Sequence, residues 1–333
     1  MKTLLLTQDD LRDLLNFNDV IKAVEDVFRD KGLGKVQMPP KVYIFFKEYN
    51  GDIRIMPSYV ERLNISSVKI VNSHPLNPSR SGLPTVMATI LLIDPSTGFP
   101  LSIMDGTYLT ALRTAAAGIV AIKYLAKEDF RVVGIIGAGV QGRMQARFLL
   151  TIFKDQIEEL RIYDLVKAKC EELRKSLMQE FDVSNIRVTE NPEATVKGAD
   201  VIVTVTPSRK PIIMNDWISP GVHLNCMGAD APGKQEVDPN ILKRAKIVVD
   251  DVEQAVHSGE INVPISMGLL TKDDIYGELG EVVAGIKKGR ESDQEITIFV
   301  STGLAIQDTA VASLAYRLAR EKGLGTEISL FPV

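Results

Sequence analysis

A glycine-rich turn is the first feature of the chain with a definite chemistry. Gly137-Ala138-Gly139-Val140-Gln141-Gly142 directly follows the apolar run Arg131-Val132-Val133-Gly134-Ile135-Ile136 and precedes a helical pattern marked by Met144, Phe148 and Leu149. In that setting the G-x-G-x-x-G spacing lets backbone amides approach a pyrophosphate, and the helix amino terminus adds partial positive charge. The spacing alone says little; the strand before it and the helix after it make it a dinucleotide-binding turn. Asp164 lies 22 residues beyond Gly142, at the end of the next strand. A carboxylate there accepts hydrogen bonds from both ribose hydroxyls and repels a 2′-phosphate, so NAD is favoured over NADP. Two other readings stay open at this point. Asp164 could simply cap the strand end, and Lys167 and Lys169 supply cations that would suit NADP.

Other side chains capable of chemistry are sparse. The three histidines, His74, His223 and His257, show no spacing suited to a triad or a metal site, and His74 is read as ordering its loop. Cys170 and Cys226 are far apart with no metal-ligand spacing, so no structural metal is expected and a reducing, cytoplasmic setting is.

The elements that must position these residues divide into two styles. Thr7-Gln8-Asp9-Asp10 reads as a helix start, and Leu11, Leu14, Leu15, Val20, Ala23, Val24 and Val27 recur at helical spacing. From Lys41 the pattern becomes short runs rich in Val, Ile, Tyr and Phe, with Asn50-Gly51-Asp52 as a hairpin signal and further strands at Ser67 to Val71 and Thr85 to Ile93. A helix from about Tyr108 to Leu125 then leads into the first of a series of buried strands: 131–136, 160–163, 200–205, 222–227, 247–250 and 296–300. Their alternation with helical segments predicts a doubly wound parallel sheet. The amphipathic segment Ala305 to Arg320 is expected to return to the first domain. The fold class is therefore α/β, a Rossmann sheet over residues 117–302 inserted into a mixed α+β domain formed by 1–116 and 303–333, with a cleft between them. The charged segment Gly285 to Glu295 reads as a solvated loop.

Length and composition fit two globular domains: 333 residues, 45% hydrophobic and 25% charged. A net charge of −4 provides no basic stripe, so no nucleic-acid partner is expected. The opening Met1 to Leu6 is interrupted at once by Gln8, Asp9 and Asp10, too short for a signal peptide, and no stretch is expected to span a membrane.

Five blocks in order carry a likeness that the glycine turn alone could not. They are Lys69-Ile70-Val71-Asn72-Ser73-His74-Pro75, Gly82-Leu83-Pro84-Thr85-Val86-Met87-Ala88, Leu109-Thr110-Ala111-Leu112-Arg113-Thr114, Gly228-Ala229-Asp230-Ala231-Pro232-Gly233-Lys234 and Ser301-Thr302-Gly303-Leu304-Ala305-Ile306-Gln307-Asp308. Through them the chain resembles the ornithine cyclodeaminase and mu-crystallin family, and within it the archaeal-type alanine dehydrogenases. The resemblance implies a homodimer whose terminal segments form a substrate and dimerisation domain. It implies NAD-dependent oxidation of a small amino acid, or reduction of the matching 2-oxo acid. It further implies that Lys69 and Asp230 are catalytic, facing the reacting carbon across the nicotinamide, and that Arg113 helps hold cofactor or substrate. Cofactor contacts are implied at Thr85, Arg113, Thr206, Gly228, Ala229, Asp230, Ala231, Lys234 and Gly303, beside the turn residues Gly137, Gly139, Val140, Gln141 and Gly142 and the acid Asp164.

A lysine near other cations, or partly desolvated, titrates low enough to exchange protons, which suits Lys69 as the acid/base. Without its motif it would read as an exposed strand lysine. Asp230 follows a strand at the carboxyl edge, where ligands of open sheets bind. It could steady the substrate ammonium, activate water, tune Lys69 or merely form a turn. Lys41, Arg54 and Arg113 are the candidates to grip a carboxylate. In the resembling ornithine cyclodeaminases the position before Met-Pro carries a glutamate. Here Arg54-Ile55-Met56-Pro57 puts a cation there, which disfavours ornithine and favours a short, uncharged side chain. Ornithine cyclodeamination, ketimine or N-alkyl amino acid reduction, and a non-catalytic mu-crystallin-like binder are the alternative functions.

Overall fold

The structure, a computed structural model, describes residues 1–331. The chain forms two compact units, one from Met1–Arg113 together with the segment from Leu304 onward, the other from Thr114–Gly303. The first division falls inside the helix Thr107–Leu125, three residues before the position expected from the change of pattern at residue 116. A continuous helix leaves no sequence signal at that point, because neither a cap nor a turn marks it.

The first unit is built on an eight-stranded mixed sheet in the order Thr326–Ile328, Thr3–Leu6, Pro100–Asp105, Ala88–Ile93, Ile65–Ser73, Gly51–Val60 and Val36–Gln37, with Val42–Phe46 also paired to Gly51–Val60. Pairing is antiparallel except between Thr3–Leu6 and Pro100–Asp105. The hairpin signal marks a real reversal: Asn50 takes a left-handed conformation (φ 47°), and Gly51–Val60 pairs back on Val42–Phe46. The apolar amino terminus, Thr3–Leu6, is a strand inside this sheet. It is followed by the helix Gln8–Leu14, which Thr7 and Asp10 cap reciprocally.

Registry sets what each face of the sheet carries. Arg54 pairs with Val71, Met56 with Lys69 and Ser58 with Ser67, so these side chains share one face, which the helix Ala305–Lys322 covers. The packing there is apolar around Met56, Val71, Ala88 and Ala305. A polar stitch sits beside it, since the Thr309 hydroxyl lies 2.6 Å from both the Ser58 and the Ser67 hydroxyls.

The second unit is an eight-stranded, all-parallel sheet in the order Ile186–Val188, Glu159–Tyr163, Val132–Ile136, Val201–Thr204, His223–Cys226, Thr297–Val300, Lys246–Val249 and Ile275–Glu278. This is the doubly wound Rossmann arrangement. Its chain reverses direction of growth between Val132–Ile136 and Val201–Thr204, the switch point where ligands of such sheets bind. The edge strands Ile186–Val188 and Ile275–Glu278 were too short and too polar to show as apolar runs. The segment 285–295 is more than a solvated loop. Arg290 donates to the carbonyls of Leu125, Ser292 and Glu295, and Lys246 donates to that of Gly289, which fastens the segment to the sheet. No helix among the described residues is long and apolar enough to cross a membrane.

The helix-on-sheet seam of the first unit is testable through Thr309. Replacing it with valine keeps the shape and strands two buried serine hydroxyls, which costs about 1–3 kcal/mol. A Thr309→Val protein should unfold at lower urea concentration than the wild type; an unchanged midpoint would show that the three hydroxyls contribute nothing there.

Candidate active site

On the covered face of the first sheet, Lys69 is only 1% exposed. Its position in Ile65–Ser73 points it away from the open face, and the first turn of Ala305–Lys322 brings Asp308 to meet it. Lys69 Nζ stands 2.6 Å from Asp308 Oδ2. The other oxygen of the same carboxylate accepts from Arg113 Nε at 3.1 Å, and Arg113 Nη1 donates to Gln307 Oε1 at 3.0 Å. Thr110, one helical turn before Arg113, lies 3.5 Å from Lys69 Nζ. Asp308 itself is fully buried. A carboxylate at a helix start is favoured by the helix dipole, and this one is shared between two cations.

These neighbours set the basicity of Lys69. Burial disfavours its ammonium most strongly, and the Arg113 guanidinium adds repulsion. The Asp308 charge and hydrogen bond pull in the opposite direction, and Lys41 adds a smaller repulsion. The balance lowers the Lys69 pKa from 10.5 to about 7. At neutral pH both forms of the amine are populated, which is what a proton donor and acceptor requires. Arg54, on the same face, is buried with its guanidinium bidentate on Asp52 (Nε to Oδ1 3.0 Å) and over the Tyr43 ring at 5.5 Å. Thr85 is placed in the loop before Ala88–Ile93, where its carbonyl accepts from His74 N. His74 bonds Asn72 and lies near the Phe46 ring, an ordering role.

In the second unit the glycine turn has the shape a pyrophosphate needs. Gly137 has φ 109°, closed to most side chains, and a carbon added at Gly142 would run into the Gly137 carbonyl. At Gly139 the same carbon would meet nothing, so the turn is open on the side from which a phosphate approaches the start of Val140–Phe153. Asp164 accepts from Ala138 N (2.8 Å) and Val166 N (2.9 Å). It thus fastens the turn as a cap, and each oxygen keeps a second lone pair for a ribose hydroxyl. Lys167 is paired with Glu190 at 3.0 Å.

The remaining residues implied for the cofactor gather on the carboxyl edge of the same sheet. Thr206 N and Oγ1 both donate to Glu236 Oε1, and Gly228 N donates to Glu236 Oε2. Ala229 is buried, Asp230 is ion-paired with Lys234, and Gly303 N donates to buried Asp250 at 2.7 Å. Gly233 and Lys234 are held by Asn262. Among the described residues no cluster of His, Cys, Asp or Glu is arranged to hold a metal.

Asp308, Gln307, Glu236, Glu260 and Asp250 carry no role in the sequence reading. Asp308 had one available signal, as the one charged residue between Ala305 and Tyr316 at the start of a helix; Glu236, between Lys234 and Asp238, looks like ordinary charged surface, and Glu260 is a lone acid beside Gly259.

The model of the ornithine cyclodeaminase/mu-crystallin family matches residues 1–323. The chain is 48% identical to the alanine dehydrogenase of Archaeoglobus fulgidus over 333 residues, covering all of both proteins. Its fold is similar to that of an archaeal alanine dehydrogenase dimer with bound NAD, with a TM-score of 0.94 and 48% identity, covering 99% of this chain and 100% of that one. The Δ1-pyrroline-2-carboxylate reductase of Thermococcus litoralis, in complex with NADH and L-proline, follows with a TM-score of 0.92 and 37% identity over 98% of this chain and 100% of that one. Matched over residues 1–323 by the family model and along its full length by a relative 48% identical to it, the chain belongs to the ornithine cyclodeaminase/mu-crystallin family.

Proposed function

We propose that this protein is an NAD-dependent amino acid dehydrogenase that converts L-alanine to pyruvate and ammonium and catalyses the reverse reductive amination. The observation that carries the reading is Lys69, a lysine sealed in protein whose pKa is brought to about 7 by its surroundings. NAD as cofactor is supported by the NAD- and NADH-bound relatives and by a turn that fits a pyrophosphate. Gly137, Gly139, Val140, Gln141 and Gly142 hold the pyrophosphate, Asp164 the ribose, and Thr206, Gly228, Ala229, Ala231, Lys234 and Gly303 shape the edge beyond. When bound, NAD accepts the hydride from the substrate Cα.

The chain's own residues handle charge and protons. Arg113, Arg54 and Lys41 supply the cations that grip the substrate carboxylate. Neutral Lys69 Nζ takes a proton from the substrate ammonium and, after hydride loss and addition of water to the iminium carbon, returns it to the nitrogen, so that ammonia leaves and the protons of the added water pass to solvent. Asp308 keeps Lys69 and Arg113 in place. Asp230 is the second proton-handling group. Arg54 either shares in that grip or stands at the side-chain end as a barrier to a basic side chain, and both arrangements favour alanine over ornithine.

The working form is a homodimer. Val42, Ile55 and Ile70 are cross-strand neighbours on the uncovered face of the first sheet, and Ile44 and Ile53 form the adjoining pair. Val42, Ile44 and Ile70 are exposed. An apolar sheet face of this kind marks an association surface, and a second copy of the chain is its occupant, as the dimeric archaeal relative suggests.

The direct test follows NADH absorbance. Alanine with NAD should produce NADH, and pyruvate with ammonium should consume it; rapid proline formation from ornithine with no net NADH would replace this reading with cyclodeamination. Lys69→Ala should lower turnover by about a hundred- to ten-thousandfold while NADH titrates as in the wild type. Wild-type turnover in that variant at saturating alanine would remove Lys69 from the chemistry. Asp164→Ala should weaken NADH binding and narrow its advantage over NADPH; an unaltered ratio of the two dissociation constants would mean that the ribose is read elsewhere.

A further inference from the structure

Two fully buried glutamates, Glu236 and Glu260, lie behind the carboxyl edge of the parallel sheet. Glu236 receives three donors: Thr206 N and Thr206 Oγ1 on one oxygen, both at 2.7 Å, and Gly228 N on the other at 2.9 Å. One carboxylate thereby bridges the loops that follow two adjacent strands, Val201–Thr204 and His223–Cys226. The seam is tight, because a side-chain carbon at Gly228 would strike both the Thr206 backbone and the Glu236 carboxylate. Glu260 sits one layer further in. Its oxygens accept from Glu236 N at 2.8 and 3.0 Å and from Val237 N at 2.8 Å. Two residues on, Asn262 accepts from Gly233 N at 2.9 Å and donates to Lys234 O at 3.0 Å. The loop 228–234, which bears Asp230, is therefore tied at its start by Glu236 and at its end by Asn262.

Two carboxylates in one dry region cannot both be charged without a cation between them. The groups facing the pair are the Thr204 and Thr206 hydroxyls, backbone amides and the Cys226 thiol, which is pushed up first by burial and then by both acids. Burial raises the pKa of Glu236 as well, and the donors from Thr206 and Gly228 pull it back toward the charged form. Glu260, with donors only from two backbone amides, is the member left to hold a proton, and burial beside Glu236 pushes its pKa well up.

We propose that Glu236 is a positioning residue that, as a carboxylate, locks the Thr206 and Asp230 loops into their cofactor-holding geometry, and that Glu260 supports it from beneath as a neutral carboxylic acid. This rests on the dinucleotide-dependent reading of the carboxyl edge. The two roles demand opposite responses to the same substitution. A glutamine resembles a neutral acid, offering one acceptor and one donor, so Glu260→Gln should be tolerated. At position 236 it turns an NH2 group toward a backbone N–H or the Thr206 hydroxyl and opens the seam.

The experiment titrates NADH fluorescence in the full-length wild type and each variant, and records infrared difference spectra of the ligand-free proteins at neutral pH. Glu236→Gln should weaken NADH binding about tenfold or more, while Glu260→Gln stays within about twofold of wild type. The carbonyl absorption of a buried protonated carboxylic acid should be present in the wild type and missing from Glu260→Gln. If Glu236→Gln does not fold, Thr206→Val, which removes one of the three donors, should weaken NADH binding in the same direction. Wild-type affinity in Glu236→Gln, or in Thr206→Val where it stands in, overturns the proposal. So does a Glu260→Gln protein weakened as much as its partner, or one with an undiminished acid band. A wild type that binds no NADH would instead remove the cofactor reading on which the proposal stands.

Discussion

The ion pair between Lys69 and Asp308 is the interaction from which the rest of the first unit can be read. Taking an ammonium out of water costs several kcal/mol, and only an opposing charge in good geometry makes such a position tenable. At 2.6 Å the Asp308 carboxylate supplies it. The same carboxylate holds Arg113, so one acid fixes the separation of two cations that would otherwise repel each other. Everything around serves that placement. The registry of Ile65–Ser73 turns Lys69 to the covered face, the Thr309 hydroxyl seats the helix on Ser58 and Ser67, and Gln307 accepts from Nη1 of the Arg113 guanidinium. The outcome is a buried lysine neither fully charged nor fully neutral near pH 7.

A related solution recurs along the carboxyl edge of the second unit. Backbone N–H groups at strand exits lose their ladder partners and must find others. Here carboxylates receive them: Asp164 takes Ala138 N and Val166 N, Glu236 takes Thr206 N and Gly228 N, and Asp250 takes Thr302 N and Gly303 N. The loops that would touch a dinucleotide are thus pinned by acids of the same unit. Loops held in this way need less ordering when a ligand binds.

Much of this was legible in the residues. The parallel strands announced themselves because strands buried on both faces are continuous apolar runs, as in Val132–Ile136. The glycine turn was legible because close approach of backbone leaves no substitute for glycine at 137 and 142. The blocks around Lys69 and Asp230 pointed to a family, and through it to a role for each. What stayed hidden depends on contacts distant in sequence. Nothing local to Asp308 says that it will meet a lysine 239 positions earlier in the chain. The polar content of Gln235–Val237 conceals that all three of its residues are buried. Very short edge strands such as Ile186–Val188 exist only because a neighbour offers its hydrogen bonds.

The central claim is that burial and Arg113 lower the Lys69 pKa while Asp308 opposes them, and the pH dependence of kcat/KM for the proposed alanine oxidation tests it most directly. Oxidation requires the neutral amine, so the rate should fall on the acidic side through a group with a pKa of about 7. Asp308 favours the ammonium; removing its charge in Asp308→Asn should therefore lower the Lys69 pKa further and move the acidic limb to lower pH. A limb that stays where it is in Asp308→Asn, or moves to higher pH, would contradict the account.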